Sequence, residues 1–165
     1  MWWVVGAVVV VALVSAYLIW TAGRVDRLHT RVEAAARALD AHLLRRAAAA
    51  AVLAEERFAL ELYAAAQIAL GAGPDEREAA ENDLTRQLRA TSLPGDVPTA
   101  VAVVAASRRL ALARQVHTDL VRDALSARDR PVVRVLRMAR KHDRPAYFDI
   151  DDPTIEPRPS DLRVA

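Results

Sequence analysis

Four histidines, the acids near them and two isolated serines are the side chains with which this chain could do chemistry. The histidines are His29, His42, His117 and His142. A dinuclear metal site in a helical bundle draws on Glu and Glu-x-x-His pairs that face inward. No Glu stands three positions before any of the four. The nearest match is Asp26-x-x-His29, a single copy beside the N-terminal apolar run, and its plain reading is a structural histidine. With no cysteine there is no thiol nucleophile, disulfide or lipoprotein acylation site. Ser107 and Ser126 lack a Gly-rich elbow, and there is no Walker or GxGxxG motif. Glu55, Glu56 and Glu61 read as a solvated helix face. No catalytic, metal or cofactor residue is therefore expected. The alternative is an unrecognised enzyme with its site in the bundle, which would need acids and bases converging inward.

Charge offers two further features. The stretch Val132 to Arg140 reads as a short basic helix, with Arg134, Arg137, Arg140 and Lys141 as its cations. Either it docks on anionic lipid or an acidic partner, or it is a fourth bundle helix with its arginines in water. The second feature is Arg46, which at ~100° per residue shares a stripe with Leu28, Val32 and Leu39. Asp119 continues the stripe of Val101, Ala105, Leu112 and Val116, with Asp123 one turn on. The expected interhelical polar contact is Arg46 with Asp119 or Asp123. Nucleic acid is not an expected partner, because 23 basic and 21 acidic residues are interleaved rather than segregated. No small-molecule substrate is indicated.

The element that must position these groups is the first. Met1 to Gly23 carries no charged side chain, and the first charge is Arg24. About 20 apolar helical residues span a hydrocarbon core of about 30 Å. Trp2 and Trp3 stand at one end and Tyr17 and Trp20 at the other, so that Trp3 and Trp20 lie about 26 Å apart along a helix. That spacing fits two interfacial aromatic belts. The cleaved-leader reading, which would give a secreted helical protein, meets no basic n-region and an overlong apolar run. Arg24, Arg27, Arg31 and Arg37 follow the run, and none precedes it. The positive-inside rule then places the chain from 24 onward in the cytoplasm, on a single-pass anchor in the cell membrane.

The expected fold is all-α: a transmembrane helix (1–23), then an antiparallel, coiled-coil-like bundle of three long helices plus a short fourth (24–141), then an extended, largely disordered tail (142–165). Val25 to about Leu70 has no Pro or Gly and reads as one amphipathic helix, with Gly23 the hinge candidate. Leu28, Val32, Ala36, Leu39 and Leu43 form its stripe. Ala47 to Ala51 admits a close neighbour, and Phe58, Leu62 and Ile68 resume larger contacts. Gly71-Ala-Gly-Pro74 stops it. Asp75 and Glu78 stand at capping-box spacing for a second helix to about Arg89. A third helix, about Thr99 to Ala127, is apolar on two sides and so is expected between two neighbours. Prolines 145, 153, 157 and 159 forbid helix thereafter, with Tyr147, Phe148 and Ile150 expected to dock and residues 153–165 to be disordered.

Several of these stretches resemble the LemA family of bacterial membrane-anchored helical proteins. Ala38-Leu-Asp-Ala-His-Leu-Leu-Arg-Arg46 is similar to that family's first-helix segment. Ala80-Glu-Asn-Asp-Leu-Thr-Arg-Gln-Leu-Arg89 is similar to its Asn-Glu-Leu-x-x-x-Leu helix. Ala113 to Asp123 resembles its Arg-Arg-Phe-Tyr-Asn-Asp-Ala-Val-Arg-Asp stretch at Asp119, Val121, Arg122 and Asp123. Arg144-Pro-Ala-Tyr-Phe148 resembles its closing Pro-Tyr-Phe element. The family's Asp-Leu-Ile-Pro-Asn-Leu run is replaced here by the alanine-rich 47–55, which marks a divergent branch. The resemblance implies an N-terminal anchor and an antiparallel bundle, and no enzymatic activity. Together these readings give a membrane-tethered scaffold or interaction module. Its partners are the bilayer and an unknown protein, and a second copy of the chain is left open.

Overall fold

The computed structural model describes residues 1–136, 139, 140 and 142–156. Among them it is all-helical, without a β-strand. The helices are α1 (Trp2–Arg57), α2 (Leu60–Gly71), α3 (Arg77–Ala90), α4 (Pro98–Arg128) and α5 (Pro131–Val135). At about 1.5 Å per residue, the 56 residues of α1 extend for about 84 Å. Gly23 is helical, so the uncharged run and the Arg/Ala/Leu-rich run form one element without a hinge.

The expected single helix from Val25 to Leu70 is instead two. The break falls at Phe58, which has φ 53°. Phe58 N–H donates to the Glu55 carbonyl (3.3 Å) and Ala59 N–H to the Ala54 carbonyl (2.9 Å). That is a Schellman closure with a phenylalanine where glycine is usual. Without Gly or Pro, nothing in composition marked it. A side chain in the left-handed region costs about 1–2 kcal/mol, and the ring recovers nothing by burial, since Phe58 is 90% exposed. Phe58→Gly is therefore expected to raise stability by roughly 0.5–1 kcal/mol, net of glycine's entropy. A rise in the urea midpoint measures this, and a fall would show that the ring has a partner. Ile68, also expected in contact, is exposed, whereas Leu62 is buried.

The expected capping box does not form. α3 begins at Arg77 with Glu76 at the N-cap position, and no side chain caps it. Arg77 reaches back instead: Nη2 donates to the Ala72 carbonyl at the end of α2 (2.7 Å), and Nη1 donates to Asp40 (2.6 Å). Glu78 is used elsewhere, accepting from the Asp149 backbone N–H (2.9 Å).

The chain divides into two compact units. Among the described residues one comprises Met1–Ala35 and Thr118–Tyr147, the other Ala36–His117 and 148–156. In the second unit, small residues dominate the core. Ala47, Ala50, Ala51 and Ala54 of α1 cluster with Leu62, Ala65, Ala66 and Ala69 of α2, and with Ala80, Leu84 and Leu88 of α3. Alanine at the contact lets helix axes approach toward the ~8 Å end of the usual range. A satellite cluster joins Leu39 and Leu43 to Leu110 and Ile150, with Phe148 packed against it. In the first unit, Val32 meets Val121 and Ala124, and Val25 meets Val133 and Ala139. Of the predicted α1 stripe, Val32, Leu39 and Leu43 are buried, and Ala36 is exposed.

Three expectations are corrected. α4 buries one apolar side, not two: Val103, Leu110 and Val121 are fully buried, while Val101, Leu112 and Val116 are 47%, 64% and 55% exposed. α5 ends at Val135 rather than Arg140. Ala139 is buried, while Val135 and Leu136 are exposed. Residues 153–156 are packed rather than disordered, because proline forbids helix but not burial. Pro153 and Ile155 are buried, the latter in the main core. The extended segment lies along one stripe of α3. Glu78 accepts from Asp149 N–H, Asn82 from Asp151 N–H (2.8 Å), and Arg89 donates to the Asp152 carbonyl (2.7 Å). Phe148 and Ile150 dock as expected, but Tyr147 is half exposed. The remainder of the expected disorder, residues 157–165, lies outside the described residues.

Candidate functional site

Two polar constellations stand out, one in each unit. In the second unit Arg46 is buried, as its place on an apolar stripe required, but its partner is not Asp119 or Asp123. It is Glu81 on α3, with Nη2 at 3.1 Å from Oε2 and both side chains essentially inaccessible (0% and 1%). The same Nη2 donates to Thr85 Oγ1 (2.6 Å) and to the Glu81 carbonyl (3.1 Å), and Thr85 O–H also donates to that carbonyl (2.8 Å). Arg46 Nε and Nη1 and both Glu81 carboxylate oxygens make no hydrogen bond. Burial therefore pulls Arg46 below its usual range and pushes Glu81 above its own, each opposed by the other's charge. Asp119 pairs instead with Arg122 on the surface of α4 (3.1 Å), and Asp123 is exposed.

Glu81 and Thr85 were not singled out in the sequence. They stand at i and i+4 beside the stripe of Ala80, Leu84 and Leu88, so a wider inward face on α3 includes them. Of the other groups with possible chemistry, His117 is buried on α4, and desolvation holds it below the usual imidazole range. Ser107 is buried with its hydroxyl unpartnered, and Ser126 is exposed. Glu55, Glu56 and Glu61 are exposed, and Glu56 accepts from Thr99 O–H (2.5 Å). The Asp152 carboxylate is held below its usual range by accepting from Thr154 N–H (2.9 Å), which turns the chain so that Ile155 enters the core.

The first unit gathers the groups that follow the apolar run. Trp2, Trp3, Tyr17 and Trp20 are exposed, as is Arg24, whose guanidinium lies over the Trp20 ring at 5.8 Å. Arg27 is exposed as well. One turn on, His29 Nδ1–H donates to the Val25 carbonyl (2.9 Å), which leaves Nε2 as an acceptor for Arg128 Nη1 (3.1 Å). His142 stacks on His29, with ring centroids 4.3 Å apart, and its Nε2 lies 3.0 Å from Asp26 Oδ1. Arg128 Nη1 also reaches the carbonyls of His142 and Asp143, at 3.1 Å each. Both members of Asp26-x-x-His29 are thus used to fasten the segment around His142 to α1. Among the described residues no three metal-ligating side chains converge.

The same unit holds an open cavity of about 320 Å³. Arg128, Arg134, Arg140 and Arg144 line it, together with Asp129 and the apolar Leu125, Val133 and Ala139. Arg134, Arg140 and Arg144 are exposed, and among the described residues none of the three has an ion-pair or hydrogen-bond partner. Arg137 and Lys141, the other two expected surface cations, lie outside the described residues. The structure thus brings Arg134 and Arg140 together as the sequence suggested, and adds Arg128 and Arg144, which helical periodicity could not group with them. A helix long and apolar enough to cross a membrane begins the chain, with 6% of its apolar window buried. No family model, curated protein or solved structure matches the chain.

Proposed function

We propose that this is a single-pass membrane protein whose helical body stands on the cytoplasmic face as a non-enzymatic scaffold, holding a protein partner near the bilayer. The observation that carries the reading is the continuity of α1. The helix that is uncharged from Trp2 to Gly23 continues without a break to supply core residues from Val25 to Ala54. Such a helix belongs at once to the apolar run and to the helical body. The exposure of Val8, Leu13 and Ile19 (63%, 66% and 74%) favours lipid around the run over a soluble core. The bundle is read as antiparallel, with α4 returning along α1, in keeping with the LemA-like anchor-and-bundle plan. On α4, the open stripe of Val101, Leu112 and Val116 is a surface of the kind a partner helix covers.

Topology tests the reading first. With no cation before the run and Arg24, Arg27, Arg31 and Arg37 after it, a fluorescent-protein fusion at the C-terminus is expected to fluoresce. A phosphatase fusion there is expected to be inactive. Active phosphatase would reverse the orientation. Release of a chain lacking its first residues would replace the anchor with a cleaved leader. Photo-crosslinking from Leu112 and Val116 in native membranes then captures the partner. Crosslinks only to a second copy would make the scaffold a homo-oligomer.

A further inference from the structure

We infer that the arginine-walled cavity of the first unit is a headgroup site for an anionic phospholipid of the same bilayer that holds α1. The inference rests on the anchor reading above. Its geometry starts from the apolar lining, where Val133 and Ala139 pack on Val25. Val25 lies five residues beyond Trp20, or about 7.5 Å further along the helix. With Trp20 at the interface, that rise equals the thickness of one headgroup layer, about 5–7.5 Å. The residues packed on Val25 therefore stand within about one headgroup layer of the interface, within reach of lipid phosphates.

Its chemistry fits the same ligand. Arg134, Arg140 and Arg144 present guanidinium forks with no acid against them among the described residues, and a phosphate diester accepts two parallel N–H donors from such a fork. Asp129 also lines the cavity, but four arginines outnumber its single carboxylate, so the lining stays cationic. A volume of about 320 Å³ is within the range of small-ligand pockets, about 300–1,000 Å³. Leu125, Val133 and Ala139 offer the glycerol end an apolar wall. Arg128 is already spent on His29 and two carbonyls, so it holds the wall in place while the other three bind. An acidic peptide would need the same cations but has no reason to meet them at this depth.

The test uses the full chain in nanodiscs of phosphatidylcholine alone or mixed with phosphatidylglycerol, with retained lipid counted by native mass spectrometry. Wild-type chain is expected to keep phosphatidylglycerol in preference to phosphatidylcholine. Arg134→Gln/Arg140→Gln/Arg144→Gln should lose that preference by about a hundredfold, and Arg140→Gln alone by about fivefold. All three side chains are exposed, so circular dichroism should be unchanged. Arg108→Gln/Arg109→Gln, which removes two exposed cations from α4 outside the cavity, should keep the preference. Equal loss in that control, or an unchanged preference in the triple variant, overturns the site. Saturable inorganic phosphate binding in phosphatidylcholine discs, lost in the triple variant, would assign the cavity to free phosphate and overturn the lipid. A wild-type chain that enters discs without preference defeats only the headgroup site. One that does not enter them at all defeats the anchor reading together with the site.

Discussion

Glu81→Ala is expected to destabilise the helical body by about 3–5 kcal/mol, the usual loss when one member of a buried ion pair is removed. Arg46 is then left as an uncompensated guanidinium in an alanine-walled core. It already has two nitrogens without hydrogen bonds, and it sheds its proton at no accessible pH. Replacing both members, as Arg46→Met/Glu81→Leu, is expected to be neutral or stabilising by up to about 4 kcal/mol, because neither charge is then desolvated. Urea unfolding followed by circular dichroism gives the comparison, and a loss below about 1 kcal/mol in Glu81→Ala would mean the pair is hydrated in solution. The two single variants should differ with pH. In Arg46→Met the lone carboxyl can neutralise itself by protonation. Burial raises its folded pKa above the unfolded value, so the folded state holds more protons. The stability of that variant is therefore greatest below the ordinary carboxyl range and falls as pH rises through the elevated folded pKa. Glu81→Ala has no such relief in acid. The pair's use is to fix which face of α3 meets α1, since a slide of one turn would strand both charges.

Deleting Met1–Gly23 is expected to move the protein wholly from the membrane pellet to the soluble fraction while leaving its helices intact. The deleted run buries little, whereas Val25, Leu28 and Val32 make their contacts beyond the cut. Carbonate-washed membranes should retain the full chain, and residues 24–165 should show helical circular dichroism without detergent. A random-coil spectrum would show that the body depends on the bilayer or a partner. Soluble full-length chain would show that the run does not insert.

Much of this was legible in the sequence, for local reasons. The ends of α3 and α4 follow from Pro, Gly and polar clusters, and fall within a residue or two of expectation. Leu39, Leu43, Ala47, Ala50 and Ala51 are buried as their spacing required. Arg46 was legible as an inward charge because it interrupts an apolar stripe. Its partner was not, since the choice between α3 and α4 depends on how the helices are arranged, which periodicity does not encode. The αL turn at Phe58 gave no signal because it uses none of the residues that ordinarily mark one. The stacking of His142 on His29 joins positions more than a hundred residues apart, one of them in a proline-bounded segment without period. The four arginines of the cavity come from α4, α5 and the turns after it, so no single helix face could display them together.

The extended segment along α3 also sets an order of events during synthesis. Leu39, Leu43 and Leu110 share their cluster with Ile150, and the main core takes in Ile155. Every helix described here has left the peptidyl-transfer centre before those two isoleucines are made. At about 5–20 residues per second, the forty residues from Leu110 to Ile150 take roughly 2–8 s to add. For that interval three leucines and an alanine-lined seam lack their cover. The nascent chain would spend those seconds as a client for chaperones that bind exposed apolar surface.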